Sequence, residues 1–348
     1  MPRRTPSSGA RPTIRDVASR AGVSTATVSR VLAGLGGASA AVTRKITKAA
    51  QTIGYRPNLS ARGLRAKRRM LVGLVLPNLR NPFFTDLAHG VEEFLGKSGY
   101  TLLLGHSAEV AEREQRHMQV FVDEGVAGIV IVPSNAPGAD YVAMATAGVP
   151  LVAVDRAPTG LPCDLVNTDN RTSARVAALH LLRLGYREIA FVNGPPNLDV
   201  SRARLAGVRD AIAETKSRPA DLVVVNGDFQ QAGGSAAMRE LLVRRHAPRA
   251  VIVANNLMTL GALEVLHSRG LRIPEDIAIV CFDDMPWATS LRPPMTAIAQ
   301  PAEELGRIAA SLLLERLQTP DRPPRTITLS NTLNVRASCG ALQVSRPA

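Results

Sequence analysis

Apolar residues along this chain follow two rhythms, one before Met70 and another after it. In the first stretch Ile14, Val17, Ala18 and Ala21 recur at three- and four-residue spacing, which predicts a short helix with one apolar stripe. Thr13 stands three residues before Asp16 as a T-x-x-D capping box, and Gly22 follows where a helix end favours positive φ. Ser24 can cap a second helix with Val28, Val31 and Leu32 inward, leaving Thr25, Ala26, Thr27, Ser29 and Arg30 facing outward. Two short helices joined by a glycine turn make a helix-turn-helix, whose second helix fits a DNA major groove. Residues 33–40, A-G-L-G-G-A-S-A, read as a loop; a phosphate-binding loop would need a lysine and a preceding strand. A third helix is predicted from about Ala41 to Ile53, with Val42, Ile46, Ala49, Ala50 and Ile53 inward and Arg44, Lys45 and Lys48 outward.

Beyond Met70 the apolar residues bunch into runs with the look of buried parallel strands. These are Leu71–Leu76, Gly128–Val132, Leu151–Val154, Ile189–Val192, Leu222–Val225, Ala250–Val253 and Ile277–Phe282. Helical patterns alternate with them: Phe84–Lys97, Arg171–Leu184, Ser201–Glu214, Ala232–Val243 and Met258–Arg269. The alternation predicts an α/β protein with parallel sheets. The strands are too many for one small sheet, and the segments at 150–158 and 293–301 read as passages between two lobes. Two Rossmann-like lobes would leave a cleft between the carboxyl ends of their strands, where ligands bind.

Charge sharpens the picture. The chain carries 42 Lys and Arg against 29 Asp and Glu, a net of +13. Residues 1–70 hold 15 of those cations and a single acid, Asp16, so the remainder is nearly neutral. Such asymmetry on a compact helical head points to DNA rather than a membrane. Residues 1–12 lack periodicity and are expected to form a disordered basic tail. After the third helix, Asn58 can cap a basic helix from Leu59 to about Ala66 that sets Leu64 among arginines. A helix that short does not persist alone in water, so a solvated linker is an equal alternative.

Other chemistries find little support. Arg3-Arg4 is not followed by an apolar export region, no run is long enough to span a bilayer, and a cytoplasmic protein is expected. Cys163, Cys281 and Cys339 lie far apart without metal-ligand spacing and read as reduced thiols. The six histidines are scattered along helical patterns, and no hydrolase, zinc-protease or dinucleotide motif stands in its required context. The expectation is no enzyme, no catalytic residue, no metal and no cofactor.

Both halves together resemble the lactose-repressor/galactose-repressor family of bacterial transcription regulators, over roughly Thr13 to Cys339. The motifs are D-V-A-x-x-A-G-V-S-x-x-T-V-S-R-V-L at Asp16–Leu32, G-Y-x-P-N at Gly54–Asn58 and A-R-x-L at Ala61–Leu64. N-P-F-F at Asn81–Phe84, R-L-A-G at Arg204–Gly207, C-F-D-D at Cys281–Asp284 and P-P-M-T at Pro293–Thr296 complete the set. The resemblance implies a small all-α helix-turn-helix head at 13–56 and a hinge helix and linker at 57–69. It further implies an α/β two-lobe, periplasmic-binding-protein-like effector and dimerisation domain at 70–340, before a tail at 341–348. Its N-lobe would hold about 70–166 plus 300–325, and its C-lobe about 167–297 plus 326–340. A homodimer would bind near-palindromic, double-stranded operator DNA under the control of a small, carbohydrate-like effector. The chain's last residues show no leucine heptad, so a dimer rather than a tetramer is expected.

The resemblance also assigns sites. Thr13, Ser24, Thr25, Ala26, Thr27, Ser29, Arg30, Asn58, Ala61 and Leu64 would contact DNA, with Thr25, Ala26 and Arg30 reading bases. Ala26 can meet only a thymine methyl, Arg30 suits a bidentate guanine contact, and Leu64 would wedge into the minor groove. Phe83, Phe84, Asp155, Arg204, Phe229, Asn255, Asp283 and Trp287 would hold the effector, the aromatics being read as loop residues just past strand ends. Three departures stand out. The usual S-x-x-T before the third helix is one residue longer, from Ser39 to Thr43; Gly63 sits within the hinge helix at a cost of about 1 kcal/mol; and Asn256 replaces the usual Asp. A sugar-binding protein without DNA regulation would not need residues 1–68, and a constitutive DNA binder would not need an aromatic-lined cleft. Effector identity, the sign of its effect and the operator sequence are not written in the residues.

Overall fold

The computed structural model describes residues 12–32, 38–53, 70–137, 139–142, 148–215 and 220–341. The chain divides into two compact units, Met1–Arg68 and Arg69–Ala348. In the first, α1 (Ile14–Ala21), α2 (Thr25–Leu32) and α3 (Ala40–Thr52) pack around Val17, Ala18, Val28, Ile46, Ala49 and Ala50. The α1 cap forms as its spacing predicts, because the amide and hydroxyl of Thr13 both donate to the Asp16 carboxylate at 2.7 Å. Those bonds hold the Asp16 carboxyl below its usual range. Gly22 takes φ +67°, the left-handed turn that lets α2 start three residues later. Ser24 Oγ accepts the Thr27 amide at 3.1 Å, and Ser39 caps α3 by accepting the Val42 amide at 3.4 Å. The longer Ser39–Thr43 spacing therefore still provides a cap. Asn58, Ala61, Gly63 and Leu64, with the whole expected hinge, lie outside the described residues.

The second unit holds two six-stranded sheets. The first contains β1 (Leu71–Leu76), β2 (Thr101–His106), β3 (Gly128–Ile131), β4 (Leu151–Val154), β5 (Asp164–Thr168) and β11 (Thr326–Leu329), in the order β11-β5-β4-β3-β1-β2. The other contains β6 (Glu188–Asn193), β7 (Asp221–Asn226), β8 (Ala250–Val253), β9 (Ala278–Phe282), β10 (Thr296–Ala299) and β12 (Thr332–Asn334), in the order β12-β10-β9-β8-β6-β7. All pairs run parallel except β10 with β12. Central strands β3, β4, β8 and β9 are buried throughout, as unbroken apolar runs covered by helices on both faces must be. The helices are α4 (Pro82–Lys97), α5 (Ala111–Asp123) and α10 (Ala302–Gln318) on the first lobe, and α6 (Asn170–Arg183), α7 (Asp199–Glu214), α8 (Gln231–Leu242) and α9 (Asn256–Ser268) on the second. Two sheets with a helical head match the expected architecture.

Three expectations need correction. Residues 326–329, assigned to the C-lobe, form β11 beside β5 in the first sheet, with Thr326 opposite Leu165. Asp164 explains this, because its Oδ1 accepts the Arg325 amide at 2.8 Å and its carboxylate also binds Arg316 and Arg322. Segment 150–158 is no passage, since β4 and β5 pair with each other within the first lobe. The chain crosses between lobes after Thr168, at Gln300–Pro301 as expected, and again between β11 and β12. Finally, Phe83 and Phe84 open α4 rather than lying in a loop.

Candidate functional site

The carboxyl ends of both sheets face one cleft. Asn78 and Asn81 follow β1, Glu109 follows β2, and Asp155 and Arg156 follow β4. From the second lobe come Arg204 on α7, Phe229 and Gln230 after β7, Asn255 after β8, Asp283 after β9 and Gln300 after β10. The parallel strands of each sheet end toward this edge, so several of their connecting segments deliver side chains there. The cavity is small in this arrangement of the lobes, about 30 Å³. A sugar ring can enter only if the lobes part.

Seven of the eight expected effector residues line this cleft: Phe83, Phe84, Asp155, Arg204, Phe229, Asn255 and Asp283. Trp287 does not; it is half-exposed on the turn beyond Met285, where the chain has already left the cleft edge. Asp155 and Asp283 are both buried, at φ +66° and +68°, a region that Asp tolerates better than most residues. Burial pushes both carboxyls above their usual range, against the pull of Arg156 and Arg204 on Asp155 and of Arg204 on Asp283. Asp283 Oδ1 accepts Gln300 Nε2 at 2.6 Å. Arg204 is buried too, and burial lowers its pKa. Its Nε donates to Asn170 Oδ1 at 2.7 Å, another nitrogen donates to the Ala254 carbonyl, and its Cζ lies 4.2 Å from the Phe282 ring centroid. Arg204 is thus held inside the protein rather than on its surface.

The aromatic wall has two parts. Phe83 and Phe84 meet edge to face at 5.1 Å and also belong to the first-lobe core. Phe229 takes φ +62°, costly for a bulky side chain. Its carbonyl accepts Asn255 Nδ2 at 3.0 Å, while Asn255 Oδ1 caps α9 by accepting the Met258 amide at 2.9 Å. Gly194 makes room for the ring, which a Cβ at that position would meet at 2.0 Å.

Arg156 escaped the sequence reading. It is buried and bound in a fork to Glu109, at 2.9 and 3.0 Å. The two partners are 47 residues apart, and no local pattern announces them. Hydrogen bonds span the cleft from Asn256 Nδ2 to Asn81 Oδ1 at 2.7 Å and from Asn78 Nδ2 to Gln230 Oε1 at 3.1 Å.

On the helical head, Val28 is fully buried while Thr25, Ala26, Ser29 and Arg30 are exposed. Thr27 is half-buried, its hydroxyl 2.9 Å from Ser24 Oγ. Arg15, Arg20, Arg30, Arg44, Lys45 and Lys48 are all exposed, with Asp16 the only acid among the described residues of this unit. The surface offers a short helix of small polar groups in a field of cations, suited to phosphates and base edges.

Known proteins share both halves. Residues 13–58 match the model of bacterial regulatory proteins of the lacI family, and residues 178–339 match a periplasmic binding protein-like domain. The ribose operon repressor of Escherichia coli (strain K12) is 32% identical over 328 residues, covering 94% of this chain and 99% of its own. The chain belongs to the lacI family. A lacI-family regulator from Enterococcus faecium, solved with bound ribose, aligns over 77% of this chain and 98% of its own, at 30% identity and a TM-score of 0.69. The lac repressor dimer bound to operator and an anti-inducer aligns over 95% of this chain and 99% of its own, at 26% identity and a TM-score of 0.80. As a lacI-family member, the protein is a DNA-binding transcription regulator rather than an enzyme. Among the described residues, no helix is long and apolar enough to cross a membrane.

Proposed function

We propose that this lacI-family protein is a cytoplasmic homodimeric repressor of a near-palindromic operator, controlled by a neutral pentose-like sugar held between its lobes. One observation carries the ligand class: a single cleft combines buried carboxylate acceptors with Phe83, Phe84 and Phe229, while its two guanidiniums are already engaged within the protein. Arg156 Nε lies 3.5 Å from Asp155 Oδ2, and the field of Arg204 also reaches this carboxylate, whose oxygens suit sugar hydroxyls as acceptors. The aromatic faces suit the apolar side of a ring. Arg156 forks onto Glu109, and Arg204 donates to the neutral Asn170 and Ala254, so a sugar phosphate or acid would meet guanidiniums already hydrogen-bonded within the protein. The ribose bound to the Enterococcus faecium relative and the name of the Escherichia coli repressor point the same way.

The switch runs through Gln300. Asp283 binds Gln300 Nε2, and Gln300 Oε1 accepts the Thr168 hydroxyl at 2.8 Å. Gln300 and Thr168 both stand where the chain crosses between lobes, so a ligand on Asp283 is two hydrogen bonds from a second crossing. On DNA, Arg30 takes a guanine, Ala26 meets a thymine methyl, and Thr13, Ser24, Thr25, Thr27 and Ser29 approach the backbone and bases. Asn58, Ala61 and Leu64 complete the contact surface on sequence grounds alone. Titration calorimetry of the full chain with ribose, a hexose and ribose 5-phosphate tests the ligand class. Binding of ribose with no binding of the phosphate is expected; preference for the phosphate would overturn the reading. Light scattering should give the mass of a dimer, and a stable tetramer would contradict the assembly.

A further inference from the structure

The cross-cleft bond between Asn81 and Asn256 is fixed in direction. Asn81 Oδ1 caps α4 by accepting the Phe83 amide at 2.9 Å, so an oxygen, not an NH₂, must stand there. The same oxygen accepts Asn256 Nδ2 at 2.7 Å, which forces Asn256 to present its NH₂ across the cleft. Both side chains are buried. The Asn256 carbonyl oxygen is left without a hydrogen-bond partner, a cost tolerated where the opposite end of the amide is held. The Asn256 amide also lies 3.4 Å from Asp283 Oδ2, tying the pair to the cleft floor, although Asn256 does not itself line the cavity.

We propose that Asn81 and Asn256 form a closure latch, a directional hydrogen bond between the lobes that sets how readily the cleft opens and hence how tightly an effector is held. An aspartate at 256 has almost the same shape but no donor. It would set a carboxylate against the capping oxygen of Asn81, which cannot turn without uncapping α4. An asparagine at 256, rather than the isosteric aspartate, therefore favours a closed cleft in this chain. The link to affinity rests on the sugar reading above; the latch itself does not.

Hydrogen-exchange mass spectrometry on the full-length protein without ligand tests the latch directly. Asn256→Asp should speed exchange of the residue 81–85 amides, on the lobe opposite the substitution, by about tenfold, and Asn256→Ala should do so by less, since it removes the bond without adding repulsion. Ribose affinity should fall in the same order, by about tenfold for Asn256→Asp. Unchanged exchange at 81–85 in both variants, or a change confined to residues 254–260, would overturn the latch. Asn256→Ala keeps the test open should the aspartate variant fold poorly. If the wild type takes up no ribose, the sugar reading falls, and the exchange result still decides the latch.

Discussion

Asp155 shows what a buried carboxylate costs a fold. Its carboxyl is buried with a raised pKa, so its ionised form penalises the folded state at neutral pH, and the penalty fades as pH falls through that raised value. Asp155→Asn keeps the shape and tolerates φ +66°. It should raise the melting temperature at pH 7, with the gain shrinking on acidification, while ribose binding weakens at least tenfold. A melting temperature unchanged at pH 7 would mean the charge is better compensated than its surroundings suggest. On the head, Arg30→Ala should cost about 1–3 kcal/mol of operator affinity and relax specificity at one base pair, read by anisotropy against single-base operator variants. Legibility at this scale followed locality. Asp283, Asn255 and Phe229 each follow a recognisable strand, as Arg156 does after β4, but the pairing of Arg156 with Glu109 on another loop carries no local sequence signal. Trp287 is the converse case: nearness in sequence to β9 does not place it in the cleft lining.

At the level of elements, unbroken apolar runs located the buried central strands, and cap residues located the three head helices. The apolar pattern announces neither the edge strand β2 nor helices α5 and α10, and β11 pairs in the first lobe rather than the expected second. These elements are held by tertiary contacts rather than by their own pattern. Asp164 is the clearest case: it is fully buried, and its carboxylate gathers Arg316 from α10, Arg322 and the Arg325 amide beside β5. Burial alone would raise its pKa, but those partners outweigh burial and hold it low. Its contribution to stability is therefore present at neutral pH and lost as pH falls through the depressed value. Asp164→Asn would leave two largely buried guanidiniums poorly compensated and should destabilise the domain by about 3–5 kcal/mol in denaturant unfolding. A loss below about 1 kcal/mol would show that the guanidiniums find water instead. On the head, Ser24→Ala removes the cap of the recognition helix and should cost about 1 kcal/mol of its stability by thermal unfolding.

For the whole molecule, the charge split along the chain and the change of hydrophobic rhythm at Met70 were enough to read two units with two tasks. The chain's division at residue 68 coincides with that change. What sequence could not supply was the closed geometry of the cleft, because hydrogen bonds such as Asn81 to Asn256 join residues 175 positions apart. The central claim is that a sugar in the cleft controls DNA affinity. Fluorescence anisotropy of the full-length protein on an operator selected from random near-palindromes, titrated with and without saturating ribose, tests it most directly. We expect binding that weakens steeply with salt, by about 0.9 log units per log unit of salt for each phosphate neutralised, and an operator affinity that ribose changes at least tenfold. An operator affinity that stays the same while calorimetry shows ribose bound in the cleft would contradict the account.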